Sequence, residues 1–261
     1  DRRNGFTIPP QLGPVQVGLV AGMGHAEVEV ARRPRVAVVS TGDELVRPGT
    51  VPGPGQLYES NLPTLVAEAT VCGCEVVRAT GVGDDPADLG RLLDELADAG
   101  VDLALTIGGV SMGEREPVRA VLEASGEPVF RRVTARPGGP LTFFRRRGLP
   151  VLALPGNPVS SLVCFHLFAR AYLDAALGRG SPSPFARRLR ARATADLVPD
   201  AKTVFHRCRL LVDEGGAQVR PFSDQSSAVS RSLHESDCLA VAPPGGVRAG
   251  EVVEVIPLRL R

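Results

Sequence analysis

The sequence predicts an α/β protein, a doubly wound and mostly parallel sheet followed by a small C-terminal β-barrel-like domain, and three observations carry that expectation. Between residues 34 and 179, short β-branched runs alternate with segments of helical length, the order expected of βαβ units. At Gly180-Ser181-Pro182-Ser183-Pro184 the composition shifts to that of a linker, and beyond it short strands are punctuated by turn residues. The 261 residues are also enough for two compact domains, each typically about 100 to 200 residues. The expected division is 1–33, a remnant or linker with an edge strand; 34–179, the α/β domain; and 180–261, the β domain.

Residues 1–11 are polar, carry Pro9 and Pro10, and read as a tail or linker. Segment 12–24 is mostly apolar, and 26–30 alternates apolar with acidic residues as a half-exposed edge strand would. Arg35-Val36-Ala37-Val38-Val39-Ser40 is a continuous run with no polar face, which reads as a central parallel strand buried on both sides. Next come a helix over 61–69, a strand over 75–79, a helix over 85–99 opened by Asp85 and Pro86, and a buried strand over 101–107. A helix over 114–124, an extended stretch over 128–133, strands over 140–144 and 150–154, and a long helix over 159–177 complete the first part. Strands over 189–195, 204–212 and 217–221 follow, and 238–242 with 251–256, joined through Pro243-Pro244-Gly245-Gly246, closes the chain like a barrel hairpin.

Thirty basic residues nearly balance 29 acidic ones, and no Lys/Arg run exceeds three. The electrostatic footprint of a nucleic-acid binder is missing, so no nucleic acid partner is expected. Lys202 is the single lysine, and arginine carries the rest of the positive charge. Five cysteines without a Cys-x-x-Cys pair, in a chain with no leading signal segment, predict reduced thiols and a cytoplasmic location. Cys72-Gly73-Cys74 has the chemistry of a metal or redox site, but no second pair or nearby histidine completes a ligand set. His25, His166, His206 and His234 are scattered and read as packing or surface residues. The longest apolar stretch, 149–168, is broken by Pro155, Gly156, Asn157 and Pro158, so no membrane span is expected.

In doubly wound folds ligands bind outside the carboxyl ends of the strands. Three glycine-bearing loops follow predicted strands: Ser40-Thr41-Gly42-Asp43-Glu44-Leu45, Gly108-Gly109-Val110-Ser111-Met112-Gly113-Glu114, and Leu154-Pro155-Gly156-Asn157-Pro158. Gly108, Gly109 and Gly113 let backbone N–H groups approach an anion, and a helix beginning near Glu114 adds the positive end of its dipole. Asn157 is placed as an N-cap with Pro158 as first helical residue, so the long helix would point free N–H groups at the same crevice. Neither a dinucleotide Gly-x-Gly-x-x-Gly nor a P-loop is present, which leaves a different phosphorylated ligand. Asp43, Glu44, Glu114 and Glu116 would repel that ligand unless a cation lay between, and magnesium bridging carboxylate and phosphate is one solution. The alternative is that Glu114 and Glu116 simply favour a helix N-terminus.

These loops, together with Arg136-Pro137-Gly138-Gly139-Pro140, Leu154-Pro155-Gly156-Asn157-Pro158-Val159-Ser160, Gln225-Ser226-Ser227 and Leu239-Ala240-Val241-Ala242-Pro243, resemble the molybdopterin molybdenumtransferase (MoeA, gephyrin E-domain) family in order and spacing. The resemblance runs from about residue 12 to the end of the chain and leaves out the family's N-terminal segments. Single motifs recur in MogA-like and CinA-like relatives, which lack the β domain. The resemblance implies a MogA-like pterin-binding domain and an enzyme of molybdenum cofactor biosynthesis. Such an enzyme takes adenylylated molybdopterin and molybdate, cleaves the phosphoanhydride with the help of Mg2+, and releases AMP with the finished cofactor.

The resemblance further implies a homodimer and a molybdopterin adenylyltransferase as partner. Carried over residue by residue, it makes Asp43, Glu44, Glu116 and Arg136 catalytic, with Glu44 and Glu116 as metal ligands. The pterin ligand falls to Thr41, Gly42, Gly108, Gly109, Val110, Ser111 and Gly113, to Pro155, Gly156, Asn157 and Pro158 on the molybdate side, and to Ser227 from the β domain.

Three positions depart from the family pattern. Its Lys-Pro-Gly-Lys-Pro loop has Arg136 at the first lysine, which keeps the charge, and Gly139 at the second, which removes it. A lost charge-assisted contact to an oxyanion is typically worth about 2 to 4 kcal/mol. The family aspartate after the Gly-Gly loop is here Glu116, followed by Pro117. The alternative reading is therefore a molybdopterin-binding paralogue without turnover.

Overall fold

The computed structural model describes residues 12–110, 116–179, 188–227 and 231–258. In chain order the strands are β1 Arg35–Thr41, β2 Leu45–Val46, β3 Leu57–Tyr58, β4 Glu75–Val82, β5 Leu103–Ile107, β6 Glu127–Arg131 and β7 Ala135–Arg136. They continue with β8 Thr142–Arg146, β9 Leu149–Leu154, β10 Leu189–Ala193, β11 Thr203–Asp213, β12 Gly216–Pro221, β13 Cys238–Ala242 and β14 Val252–Pro257. The helices are α1 Pro14–Gly22, α2 Asn61–Val71, α3 Pro86–Asp98, α4 Pro117–Ser125, α5 over 158–176, and α6 Arg231–Glu235.

The first sheet has the order β4-β1-β5-β9-β8-β6, with the first four strands parallel and β8 antiparallel to both neighbours. Val36, Val38, Leu103 and Leu105 face a core with Leu65 of α2 and Phe165 of α5. Ala37, Val39 and Ala104 face the opposite core with Leu89, Leu93, Val118 and Val121 of α3 and α4. Helices on both faces explain why β1 carries no polar face. In α3, Leu89, Leu92, Leu93 and Leu96 repeat at helical spacing and are buried. Each contributes roughly 1.5 to 3 kcal/mol of transfer free energy, and the Asp85 carboxylate caps the helix by accepting from the Ala87 amide at 2.8 Å.

The second sheet closes on itself: β12-β10-β14-β13-β11, with β11 hydrogen-bonded back to β12, is a five-stranded barrel filled by Ala191, Val204, Cys208, Val219, Ala240 and Val255. The predicted closing hairpin is β13 paired antiparallel with β14. Short β7 also joins this sheet, running parallel to β11, so the loop around Arg136 belongs structurally to the barrel. Helix α5 connects the two units. Its Phe165, Ala169 and Leu173 pack on the first sheet, while Val159, Val163 and Leu167 pack with Phe205, Leu239 and Ile256 of the barrel. A π-helical stretch, Phe165–Ala169, lies at its centre.

Two expectations need correction. Segment 26–30 is exposed and forms no strand: its Val28 and Val30 are uncovered, so its apolar side packs on nothing among the described residues. Helix α4 starts at Pro117, with Glu116 as its cap, rather than near residue 114. No described group of three or more His, Cys, Asp or Glu is placed to hold a metal by itself, and Cys72 and Cys74 are free and buried. The linker expected at 180–184 lies outside the described residues.

Candidate active site

The carboxyl ends of β1, β4, β5 and β9 are tied together by backbone bonds and one threonine hydroxyl. Gly108 N donates to Leu154 O at 3.0 Å, Gly42 N donates to Val82 O at 3.3 Å, and Thr41 Oγ1 donates to Ile107 O at 3.2 Å. Gly108 sits at φ +88°, where glycine carries no steric penalty. A Cβ there would lie 3.0 Å from Thr41 O, and one on Gly156 would lie 3.5 Å from Gly108 Cα. The first two loops leave no room for a side chain at Gly108, whereas at Gly156 a methyl would meet only an ordinary contact.

Above this junction opens a cleft of about 660 Å³, within the usual range for small-molecule sites. Thr41, Gly42 and Glu44 line it from the first loop; Gly108, Gly109, Val110 and Glu116 from the second; Pro155, Gly156, Asn157 and Pro158 from the third. Ser111 and Gly113 lie outside the described residues. Asp43 is turned to a neighbouring cleft of about 890 Å³ and accepts from the Asp84 amide at 3.2 Å. Arg136 and Ser227 are not on the wall. The Arg136 guanidinium instead pairs with Asp200 at 2.7 Å, and that hydrogen bond holds the Asp200 carboxyl below the usual carboxylate range.

Ser227 acts one step behind the wall. Asn157 precedes α5, but its side chain does not cap the helix. The Val159 amide, which an N-cap side chain would take, donates to Ser227 O at 3.2 Å, and Asn157 Nδ2 donates to Ser227 Oγ at 3.2 Å. The barrel therefore caps the helix from outside. With proline at its first position and Val159 committed, α5 offers fewer free N–H groups to a ligand than the sequence implies.

Residues that sequence reasoning missed come from the short β2–β3 ribbon and its exit, the turn after β4 and the approach to β8. Tyr58, Glu59, Ser60, Asn61, Asp84 and Pro140 all line the cleft. Asn61 Nδ2 donates to Gly156 O at 2.7 Å, fixing the third loop from across the cleft. Glu59 is buried and caps α2, its Oε1 accepting from the amides of Asn61 at 2.8 Å and Leu62 at 3.0 Å. Its Oε2 is buried without a partner. The only cue was Ser60-Asn61 before an apolar run, a weak cap signal.

Charge decides what this cleft accepts. Glu44, Glu59, Asp84 and Glu116 line it, and none of its described lining residues is Lys, Arg or His. Such a wall favours a cation.

Comparison with known proteins agrees with this geometry. Residues 37–175 match the family described as probable molybdopterin binding domain, and residues 190–258 match the MoeA C-terminal region (domain IV). The chain belongs to the molybdopterin molybdenumtransferase (MoeA) family. It is 38% identical over 252 residues to molybdopterin molybdenumtransferase 2 of Mycobacterium tuberculosis, covering 93% of this chain and 59% of that one. A Synechococcus elongatus molybdopterin molybdenumtransferase is 38% identical over 256 residues, covering 94% and 60%.

Among solved structures, the molybdopterin biosynthesis MoeA protein from Pyrococcus horikosii superposes with a TM-score of 0.80 at 29% identity, over 96% of this chain and 61% of that one. The chain thus spans about three fifths of the length of these MoeA relatives. In this MoeA chain a Cβ on Gly139 would meet only ordinary contacts, the nearest being Ala135 O at 3.6 Å. The absent lysine is therefore not excluded by crowding. Among the described residues no helix is long and apolar enough to cross a membrane.

Proposed function

We propose that the cleft binds adenylylated molybdopterin and that the chain takes part in inserting molybdenum from molybdate into it, with release of AMP. The observation that carries this reading is the convergence of the Thr41–Glu44, Gly108–Val110 and Pro155–Pro158 loops on one cleft at the carboxyl edge of the sheet. The backbone at Gly108 and Gly109, kept free of side chains, accepts the close approach of a phosphate. Thr41 and Asn61 hold the surrounding loops in register. Ser111 and Gly113 belong to the same proposal through the resemblance, and Arg136 and Asp43 stand at its margins.

The residues present fit a magnesium ion. Four carboxylates and no described cation line a cleft meant for a phosphorylated ligand. Magnesium is typically held by one or two carboxylates, waters and substrate phosphates rather than by a protein cage. Glu44 and Glu116 are the proposed ligands. The ion would neutralise the phosphoanhydride that is cleaved. A homodimer is proposed too, supported by the apolar side chains that α1 exposes, Val15, Val17 and Leu19. A molybdopterin adenylyltransferase is the class of enzyme that would supply the substrate.

A second reading, a molybdopterin-binding paralogue without turnover, is favoured by the same lack of a cation on the described wall and by Gly139. Molybdate-dependent release of AMP from adenylylated molybdopterin separates the two. Release above the uncatalysed rate supports the transferase, and binding without release supports the paralogue.

A further inference from the structure

Arg207 is the largest fully buried side chain, 1% exposed, and it forms no ion pair among the described residues. A buried guanidinium is costly unless its N–H groups find acceptors. Its acceptors here belong mostly to one loop. Nε donates to Ser232 Oγ at 2.7 Å, and one terminal nitrogen donates to Asp224 O at 3.2 Å and Ser226 O at 3.1 Å.

The loop grips back. Gln225 Oε1 accepts from Arg207 N at 3.0 Å, and Gln225 Nε2 donates to Arg207 O at 3.0 Å and to Phe222 O at 2.9 Å. The Asp224 carboxylate accepts from the Ser226 amide at 2.8 Å. The next residue is Ser227, whose carbonyl takes the Val159 amide and whose hydroxyl takes the Asn157 side chain. A chain of bonds thus runs from the guanidinium, through the loop, to a residue on the cleft wall. A methionine would fill the same space without burying charge, and a lysine lacks the planar fork that reaches three acceptors.

We propose that Arg207 is a positioning residue: it fixes the 224–227 loop so that Ser227 caps α5 and holds Asn157 in place on the molybdate side of the cleft. The functional half of this rests on the reaction proposed above; the structural half does not.

Hydrogen exchange on the 261-residue chain tests the structural half. With Arg207→Lys or Arg207→Met, the amides of 224–227 should exchange at least about tenfold faster while β11, β13 and β14 keep their rates. Unchanged loop protection, or a uniform loss across the barrel, overturns the proposal. In the AMP-release assay, Arg207→Lys should raise the KM for molybdate about as much as Ser227→Ala, with a smaller change in kcat. The double variant should be no worse than the worse single one, because both act through one group. Penalties that multiply, or a Ser227→Ala chain that matches the native one, overturn it. A native chain that releases no AMP counts against the reaction instead, and the exchange rates then decide the role of Arg207 alone.

Discussion

Gly108 Cα lies 3.5 Å from the point that a Cβ on Gly156 would occupy. That contact joins two loops 48 residues apart in sequence at the floor of the cleft, and it separates two kinds of glycine. Gly108 and Gly109 have positive φ, so any substituent is strained there. Gly156 is not in that region, and a methyl on it meets only an ordinary contact.

Gly156→Ala should therefore spare the fold and impair binding. The expected result is a Tm within about 2 °C of native and a loss of ligand affinity of about tenfold or more, because the methyl fills the floor of the cleft where the third loop meets Gly108. Gly109→Val should cost roughly 1 to 3 kcal/mol of stability as well, because its positive φ strains any side chain. Its Cβ would press to 3.0 Å from Val118 and 3.1 Å from Pro117 at the start of α4. Thermal melts beside calorimetric titrations check both.

Asn61→Ala removes the 2.7 Å bond to Gly156 O that steadies the third loop. The exposed setting limits the loss of global stability to about 0.5 to 1.5 kcal/mol. Faster amide exchange across 155–158, with α2 unaffected, would show that the effect is local.

How far the sequence could be read depends on whether a signal is local. Val36 to Val39 announced a strand covered on both faces, and Asp85-Pro86 announced a helix start, because burial and capping leave their marks on adjacent residues. Segment 26–30 has the alternation of a strand and is exposed, since alternation records a pattern of polarity and not the presence of a partner strand. Glu59 and Asn61 escaped notice because two-residue strands such as β2 and β3 carry no periodicity. The capping of α5 by Ser227 joins residues about 70 positions apart, and nothing near Asn157 foretells it.

Gly139→Lys has room to fold, so its Tm should stay within about 3 °C of native. If the missing cation limits turnover, this variant, alone or with Glu116→Asp, should raise the rate of AMP release, by as much as about tenfold or more for a charge-assisted contact. Rates unchanged by either substitution would remove these positions as determinants of turnover.

The five cysteines are buried and free. Burial pushes the Cys74 thiol up to about 11 and those of Cys164 and Cys208 up to about 12. Thiolate forms only as pH rises toward these values, so at pH 8 these buried thiols are almost wholly protonated. Native protein at pH 8 should resist alkylation, and denatured protein should take up label at all five positions. Rapid labelling of Cys72 or Cys74 in the native state would reopen a redox role for that pair.

The central claim is that the carboxylate-lined cleft grips an anionic pterin through a shared cation, and calorimetric titration with adenylylated molybdopterin tests it most directly. With Mg2+ present the ligand should bind, and a chelator should weaken that binding by about tenfold or more. Equal affinity with and without the metal, or no binding in either case, would contradict the account.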